Sequence, residues 1–538
     1  MRFWAGLIVA LLLATQAAAQ APEALREEAF QAAQWAMTSD AADALAKVSA
    51  RFARGNGPLA RLAEQREALL IERDRLEAQI EALYAQTGPD GDAARTKARG
   101  RHRDVSAALK ALNAEIDRAF PDYGDLISPK PLTLAEVQGL LKPDEGLLLV
   151  LVDDDAAYIW GVTREAVAWA RADGYGAGPI AADVVGLRRH LMGAEGDEAP
   201  YDRALAFRVY ERLVRPVEAV FAGKTTLISV AEGMLATLPL AVLATDPGSR
   251  PDGFLVDRYA LAALPAVSSL RSLRCLRATD RPAACRGGVS ASRPAPAGGR
   301  LVFVGLGAPA GLGPPEPNRA GPPPVDGLFR RGLAQPSELR KLASLPGSAT
   351  ELSALKARYP SGVVLTGAAA TETAVKVGHR DEISRSRYVV FSTHGLMAGQ
   401  MATGEPGLVL TPPDEATEMD DGFLTASEAA QLRLSADFVV LSACNTAASD
   451  GSPGSQGLSG LARAFFYAGA RSVLVSHWEV SDVATAELIQ ATFANLDRAD
   501  LGSRARALQR ASITVRGDPR FADPGYWGAF TLVGEPAR

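Results

Sequence analysis

Apolar positions recur along this chain in more than one pattern, and each pattern predicts a different kind of element. Between about Pro22 and Phe120 the period is helical. Leu62, Leu69, Leu76 and Leu83 return every seven residues, and Val105, Leu109, Leu112 and Ile116 follow at spacings of four and three. "TGPDGD" (87–92) separates the two runs and breaks the pattern, so the segment reads as two antiparallel helices packed along leucine seams. "EEAFQAAQWA" (27–36) predicts another helix ahead of them, as in a decayed helical-hairpin repeat, although one partial unit is too little for a solenoid.

After "FPDYGDLISPKPLT" (120–133) the period changes. "LLLVLV" (147–152), "AAYIWGV" (156–162) and "EAVAWAR" (165–171) predict short strands joined by tight turns such as Asp153-Asp154-Asp155. Helices follow at "ADVVGLRRHLMG" (182–193) and "AFRVYERLVRPVEAVF" (206–221), then a strand at "TTLISV" (225–230). The last two hundred residues alternate the two kinds of element. Strands are predicted at 301–307, 362–367, 387–393, 437–443 and 471–477, with helices such as "ATELSALKARY" (349–359) and "GLSGLARAFFYA" (457–468) between most of them.

Those strands are apolar without strict alternation, which implies cover on both faces. The expected architecture is therefore α/β, a mostly parallel sheet with helices on both faces, preceded by an α-helical arm. The arm spans residues 20–120 and the α/β domain 121–538, with loops or linkers at 276–300 and 307–338, where Pro, Gly, Ala and Arg dominate.

Residues 1–19 change the picture of where this chain works. Arg2, the apolar stretch Phe3–Ala14 and Ala17-Ala18-Ala19 form the pattern of a secretory signal peptide. An uncleaved anchor is the alternative reading. No later apolar run approaches the roughly 20 residues of a transmembrane helix, so the mature chain is expected to be exported, periplasmic or secreted, with no span. Its 57 Lys and Arg against 62 Asp and Glu, with no basic stripe, argue against nucleic acid as a partner.

In an oxidising compartment Cys275 and Cys285, ten residues apart, can pair and leave Cys444 as the odd thiol. That thiol is either reactive or a small buried hydrophobe. Its position favours chemistry. "YVVFST" ends in His394-Gly395 and "FVVLSA" ends in Cys444, and ligands in open α/β sheets bind outside the carboxyl ends of strands. An imidazole beside a thiol yields a thiolate nucleophile and a proton donor for the leaving group. Gly395, with no Cβ, lets backbone approach a substrate closely.

"FSTHG" (391–395), "LSACNT" (441–446), "GLARAFFYAGARSVLVSHW" (460–478) and "VSDVAT" (480–485) resemble the CHAT domain, a module related to caspases and separases. "LISVAEGMLATLPLAVL" (227–243) and "LPGSATELSAL" (345–355) lie where such domains carry similar segments. The resemblance runs from about Pro121 to Gly534 and is most specific between 388 and 485. The His–Cys separation, 444 − 394 = 50, agrees with the spacing of about 50 residues in caspases.

The resemblance implies that His394 is the general acid/base and Cys444 the nucleophile, with the N–H groups of Gly395 and Cys444 forming an oxyanion hole. Family members often carry an acidic residue where this chain has Gln456, and an apolar residue where it has His477. Asp420 and Asp421 in "TPPDEATEMDDGF" (411–423) either line a pocket for a basic P1 residue, as acidic residues do in several relatives, or belong to a solvated loop.

The expected activity is thus hydrolysis of a protein or peptide substrate through a Cys thioester, with no metal or organic cofactor. "VGLGAPAG" (304–311) lacks the dinucleotide spacing, "GKTT" (223–226) lacks the upstream glycine of a phosphate loop, and the five histidines show no metal-ligand spacing. Two other classes remain open: a non-catalytic or partner-activated adaptor, binding a protein through the helical arm, and a hydrolase or transferase acting on non-peptide acyl groups.

Overall fold

The apolar runs of the carboxyl-terminal half become strands with both faces buried. The computed structural model describes residues 22–37, twelve positions between 62 and 83, 89–119, 130–192, 200–248, 252–275, 282–285, 299–315, 328–330, 333–396, 406–443, 460–479 and 481–537. The strands before the midpoint are β1 (Glu145–Val152), β2 (Ala156–Thr163), β3 (Val167–Asp173), β4 (Thr226–Ala231), β5 (Ala260–Ala263), β6 (Leu301–Pro309), β7 (Phe329–Arg330) and β8 (Leu333–Ala334). Those after it are β9 (Val363–Gly367), β10 (Ser386–Ser392), β11 (Gly395–Leu396), β12 (Gly407–Val409), β13 (Phe423–Thr425), β14 (Phe438–Ser442), β15 (Ser472–Ser476) and β16 (Phe530–Gly534).

Among the described residues one eleven-stranded sheet runs in the order β3-β2-β1-β4-β5-β16-β15-β14-β10-β6-β9. Pairs β1–β4, β4–β5 and β5–β16 are parallel, as are β15–β14, β14–β10, β10–β6 and β6–β9. The two parallel blocks meet at the antiparallel pair β15–β16, so their carboxyl ends lie at opposite edges. Two-sided burial is visible residue by residue. Tyr388, Val390, Phe438 and Val440 pack into one apolar layer, and Val389, Phe391, Val439 and Leu441 into the layer on the opposite face. Removing each such side chain from water contributes about 1.5–3 kcal/mol, which keeps these strands central.

Described positions between 62 and 83 are helical and pair with the helix Pro89–Ala119, where Leu76, Val105 and Leu109 form a small buried cluster beside Leu69. Arg101–Glu72 (2.7 Å) and Arg66 Nε to Asn113 Oδ1 (2.8 Å) set the antiparallel direction. Pro89, part of the expected breaker, opens the second helix, where its missing N–H costs nothing.

The first helix, Pro22–Ala36, departs from the expected 20–120 arm and packs on the sheet domain instead. Phe30 meets Trp160 edge-on at 6.1 Å, and the Gln34 amide exchanges two hydrogen bonds with the backbone of Leu132 (2.8 and 2.9 Å). The 307–338 stretch, expected to be linker, contains the β7–β8 ribbon and the first part of the helix Pro336–Leu339. Cys275, just before the 276–300 region, is disulfide-bonded to Cys285 inside it. No helix among the described residues is long and apolar enough to cross a membrane, and residues 1–19 lie outside the described residues.

Candidate active site

Strands β10 and β14 run side by side, with Ser392 in register with Ser442. The pairing extends one residue further, since Thr393 N–H donates to Ser442 O at 3.1 Å. The chain then turns away from the sheet. Thr393 Oγ1 donates to Val409 O (2.5 Å) and Val409 N–H donates to His394 O (2.9 Å), which seats the small antiparallel sheet β11–β12–β13 beside the strand end.

His394 is nearly enclosed, 5 % exposed, and its Nε2 lies 2.7 Å from Ala343 O. A carbonyl only accepts, so Nε2 carries the proton and the neutral ring keeps its basic lone pair on Nδ1. Burial pushes the imidazole pKa below its usual value, while the bond to Ala343 and the negative field of Asp482 act against that shift. Neutral imidazole is the form able to accept a thiol proton.

Position 444 is two residues beyond Ser442, as 394 is two beyond Ser392. Cys444 itself, with Gln456, lies outside the described residues. The last described residue of that strand, Ala443, is held by Ser476, whose hydroxyl donates to its carbonyl at 2.6 Å. Gly395 pairs with Leu408, and the flanking bond from Val409 N–H to His394 O makes this a non-hydrogen-bonded pair. The ladder therefore does not take the Gly395 N–H.

Sequence reasoning missed two acidic residues under this edge. Asp482 accepts N–H bonds from Gly347 and Ser348, the first turn of the helix Pro346–Arg358. A Cβ on Gly347 would come 2.5 Å from that carboxylate, so a larger residue there would push Asp482 aside. Glu351, on the same helix, accepts from Ser442 Oγ at 2.8 Å and is 1 % exposed. The signal was present in "LPGSATELSAL": Ser348, Glu351, Leu352 and Leu355 are the buried stripe of the helix, and an acid on an apolar stripe is conspicuous. With Asp482 neutralised in Asp482→Asn, the His394 pKa should fall further. We expect the acid limb of any His394-dependent reaction to move to lower pH, read from a pH–rate profile.

The acidic loop is not a solvated face at Asp421. Its carboxylate is buried and accepts from Ala334 N–H (2.6 Å) and Phe423 N–H (3.0 Å). Glu372 accepts in turn from the N–H groups of Asp421, Gly422 and Phe423 and pairs with Lys376 at 2.6 Å. Gly422, at φ +86°, makes the turn. Asp420 is tied to Thr373 by Oδ2, which accepts from the backbone N–H (3.1 Å) and from Oγ1 (2.9 Å). His477 is fully buried beside Thr531 Oγ1 (3.0 Å), and burial, assisted by Arg188, holds its pKa down at about 3. It is a neutral core residue. Among the described residues no cluster of His, Cys, Asp and Glu is arranged to hold a metal.

Comparison with known proteins agrees with the motifs. The family model described as the CHAT domain matches residues 203–535, more than half of the chain. The chain is 29% identical over 355 residues to mouse (Mus musculus) tetratricopeptide repeat protein 28, and 25% identical over 365 residues to the human (Homo sapiens) protein of that name. Each match covers 61% of this chain, and the chain spans only 13% of the length of either relative. Among solved structures, the Saccharomyces cerevisiae separase–securin complex is similar over 88% of this chain and 28% of that one, at 12% identity and a TM-score of 0.33. The Arg-specific cysteine proteinase gingipain R is similar over 67% of this chain and 74% of that one, at 10% identity and a TM-score of 0.35.

Proposed function

This chain belongs to the CHAT domain family, and from that premise we propose that it is a cysteine endopeptidase with Cys444 as nucleophile and His394 as general acid/base. The observation that carries the reading is the placement of His394. It is fixed at the carboxyl end of β10 by Ala343 O, with Nδ1 left basic, and β10 is paired in parallel with the strand leading to Cys444.

In the reaction the Cys444 thiol loses its proton to His394 and the thiolate sulfur attacks the scissile carbonyl carbon. The tetrahedral oxyanion takes hydrogen bonds from the N–H groups of Gly395 and Cys444. Its collapse breaks the C–N bond as His394 returns the proton to the departing amine. Water, deprotonated by the same imidazole, then cleaves the thioester and regenerates the thiol. The oxidised Cys275–Cys285 pair supports export, in keeping with the signal pattern in residues 1–19.

A second reading, an adaptor or partner-activated peptidase, is favoured by the helical pair between residues 62 and 119 and by the tetratricopeptide repeat proteins among the relatives. One experiment separates them. Residues 20–538 are treated with peptidyl acyloxymethyl ketones of varied P1, and the adduct is located by mass spectrometry. Labelling at Cys444 that favours one P1 residue is the result expected of a peptidase. A folded, reduced and unlabelled Cys444 would turn the reading to the adaptor.

A further inference from the structure

The site rests on a group that the acyl-transfer chemistry does not use. Glu351 lies in the helix Pro346–Arg358, directly under the ends of β10 and β14. Ser442, the last residue of β14, donates its hydroxyl to Oε2 at 2.8 Å. Ser392, the last residue of β10, presents its hydroxyl to the same carboxyl group. Oε1 and Ser392 Oγ are both buried and neither has a hydrogen-bond partner. Ser392 and Ser442 stand in register, so one side chain reaches both strand ends.

We propose that Glu351 is a positioning residue, a neutral carboxylic acid that clips the ends of β10 and β14 together and so fixes His394 relative to the end of β14. This deepens the peptidase reading and rests on it. An acid in this state has one O–H donor and acceptor capacity besides. Oε2 accepts from Ser442, and Oε1–H donates to Ser392 Oγ, which gives both unpartnered atoms their bond. Glutamate offers a bridge between neighbouring strands whose backbones run about 4.8 Å apart, with one carboxyl oxygen available to each serine.

The surroundings keep the group neutral. From the helix Asp482–Leu496 the facing charge is Asp482, an anion. β10 carries Arg387 and Tyr388 at the end opposite Ser392, and just beyond Ser392 stands His394, whose pKa burial lowers. β6 ("LVFVGLGAP") and β9 ("VVLTG") contribute no titratable side chain. A buried carboxylate facing another anion and no cation takes up a proton rather than remain charged, and the pKa of Glu351 is accordingly pushed up to about 8, first by burial. Above that pH Glu351 becomes a second buried anion facing Asp482, which destabilises the packing beneath the two strand ends even though both hydroxyls can still donate to it.

The test compares wild type with Glu351→Gln and Glu351→Leu in the 20–538 chain. Glutamine keeps an acceptor and a donor in the same shape but cannot ionise. Leucine fills the space and makes neither bond. The rate of Cys444 labelling by the best acyloxymethyl ketone is followed from pH 5.5 to 9.5, with circular dichroism to verify folding. We expect Glu351→Leu to lose about 100-fold, the scale of a misplacement near 1 Å. Glu351→Gln should recover most of that loss and stay reactive above pH 8, where wild type declines. An alkaline decline shared by wild type and Glu351→Gln, or wild-type labelling by Glu351→Leu, overturns the proposal.

If wild type itself fails to label, the peptidase reading fails and urea denaturation decides the clip separately. Glu351 has a folded pKa above its unfolded one, so its stabilisation is complete below about pH 4.5 and is lost as pH rises through about 8. Wild type should lose stability relative to Glu351→Gln across that window. Parallel curves would sink the inference.

Discussion

Replacing His394 by alanine is expected to slow turnover by about 10²–10⁴-fold, the usual contribution of a positioned acid–base group, while the circular dichroism spectrum stays unchanged. In the proposed reaction the imidazole accepts the Cys444 proton and returns it to the departing amine, a role for which the edge offers no second group among the described residues. Asp482 is the alternative base nearest in space, yet its carboxylate is spent on the N–H groups of Gly347 and Ser348. Little structural loss accompanies the change, since Thr393 and Val409 hold the backbone at this point without the ring. Cys444→Ala should abolish labelling altogether, and the double variant should be no worse than Cys444→Ala, because residues acting as one unit are not additive. Steady-state kcat/KM on the substrate chosen by the P1 panel measures it. A residual rate within tenfold of wild type would remove His394 from the mechanism.

The second large effect concerns stability. Arg274 is buried between two buried carboxylates. Nη1 and Nη2 donate to Glu145 at 2.6 and 2.9 Å, and Nε and Nη2 to Glu535 at 3.0 and 3.2 Å, while Nη1 also donates to Leu140 O. The cluster joins the start of β1, the residue after β16 and the helix Ser269–Arg274, whose C-cap is the disulfide-bonded Cys275. Burial opposes ionisation of Glu535, but the Arg274 guanidinium overcomes it and holds the pKa down at about 2.

Arg274→Met removes the cation and strands two anions in the interior, a loss of about 3–5 kcal/mol. That is a large share of the roughly 5–15 kcal/mol by which domains are stable. Adding Glu145→Gln and Glu535→Gln should restore part of it. The sign with pH follows. In wild type the depressed Glu535 contributes stability above its unfolded pKa of about 4.5, and this is lost as pH falls through about 2. In Arg274→Met the stranded Glu535 carboxyl, its folded pKa now above the unfolded one, takes up a proton as pH falls towards about 4.5, so the deficit is greatest near neutrality and narrows on acidification. Urea midpoints at pH 7 and pH 4 measure both parts.

Much of the architecture was legible because it is locally encoded. "RYVVFST", "DFVVLSA" and "RSVLVSH" are continuous apolar runs, and such runs need cover on both faces wherever they occur. Their ends alone located His394. β5 and β16 were not anticipated. "ALAA" has little strand preference of its own, and it is a strand because β4 and β16 flank it. The acidic loop misled in part for the same reason: nothing in "TPPDEATEMDDGF" announces that Glu372, 49 residues upstream of Asp421, caps its turn.

The sequence by itself determined the order of the elements, the helical character of the arm, the α/β class and the strand end at which the imidazole stands, since each depends on periodicity within a few residues. The tertiary structure alone decided that the first helix joins the sheet domain, that Asp421 and His477 are buried, and that Glu351 lies beneath the paired strand ends. Burial and charge pairing depend on partners far along the chain. Ser442 and Glu351 are 91 residues apart and Arg274 and Glu535 are 261 apart, and no local pattern carries information across such distances.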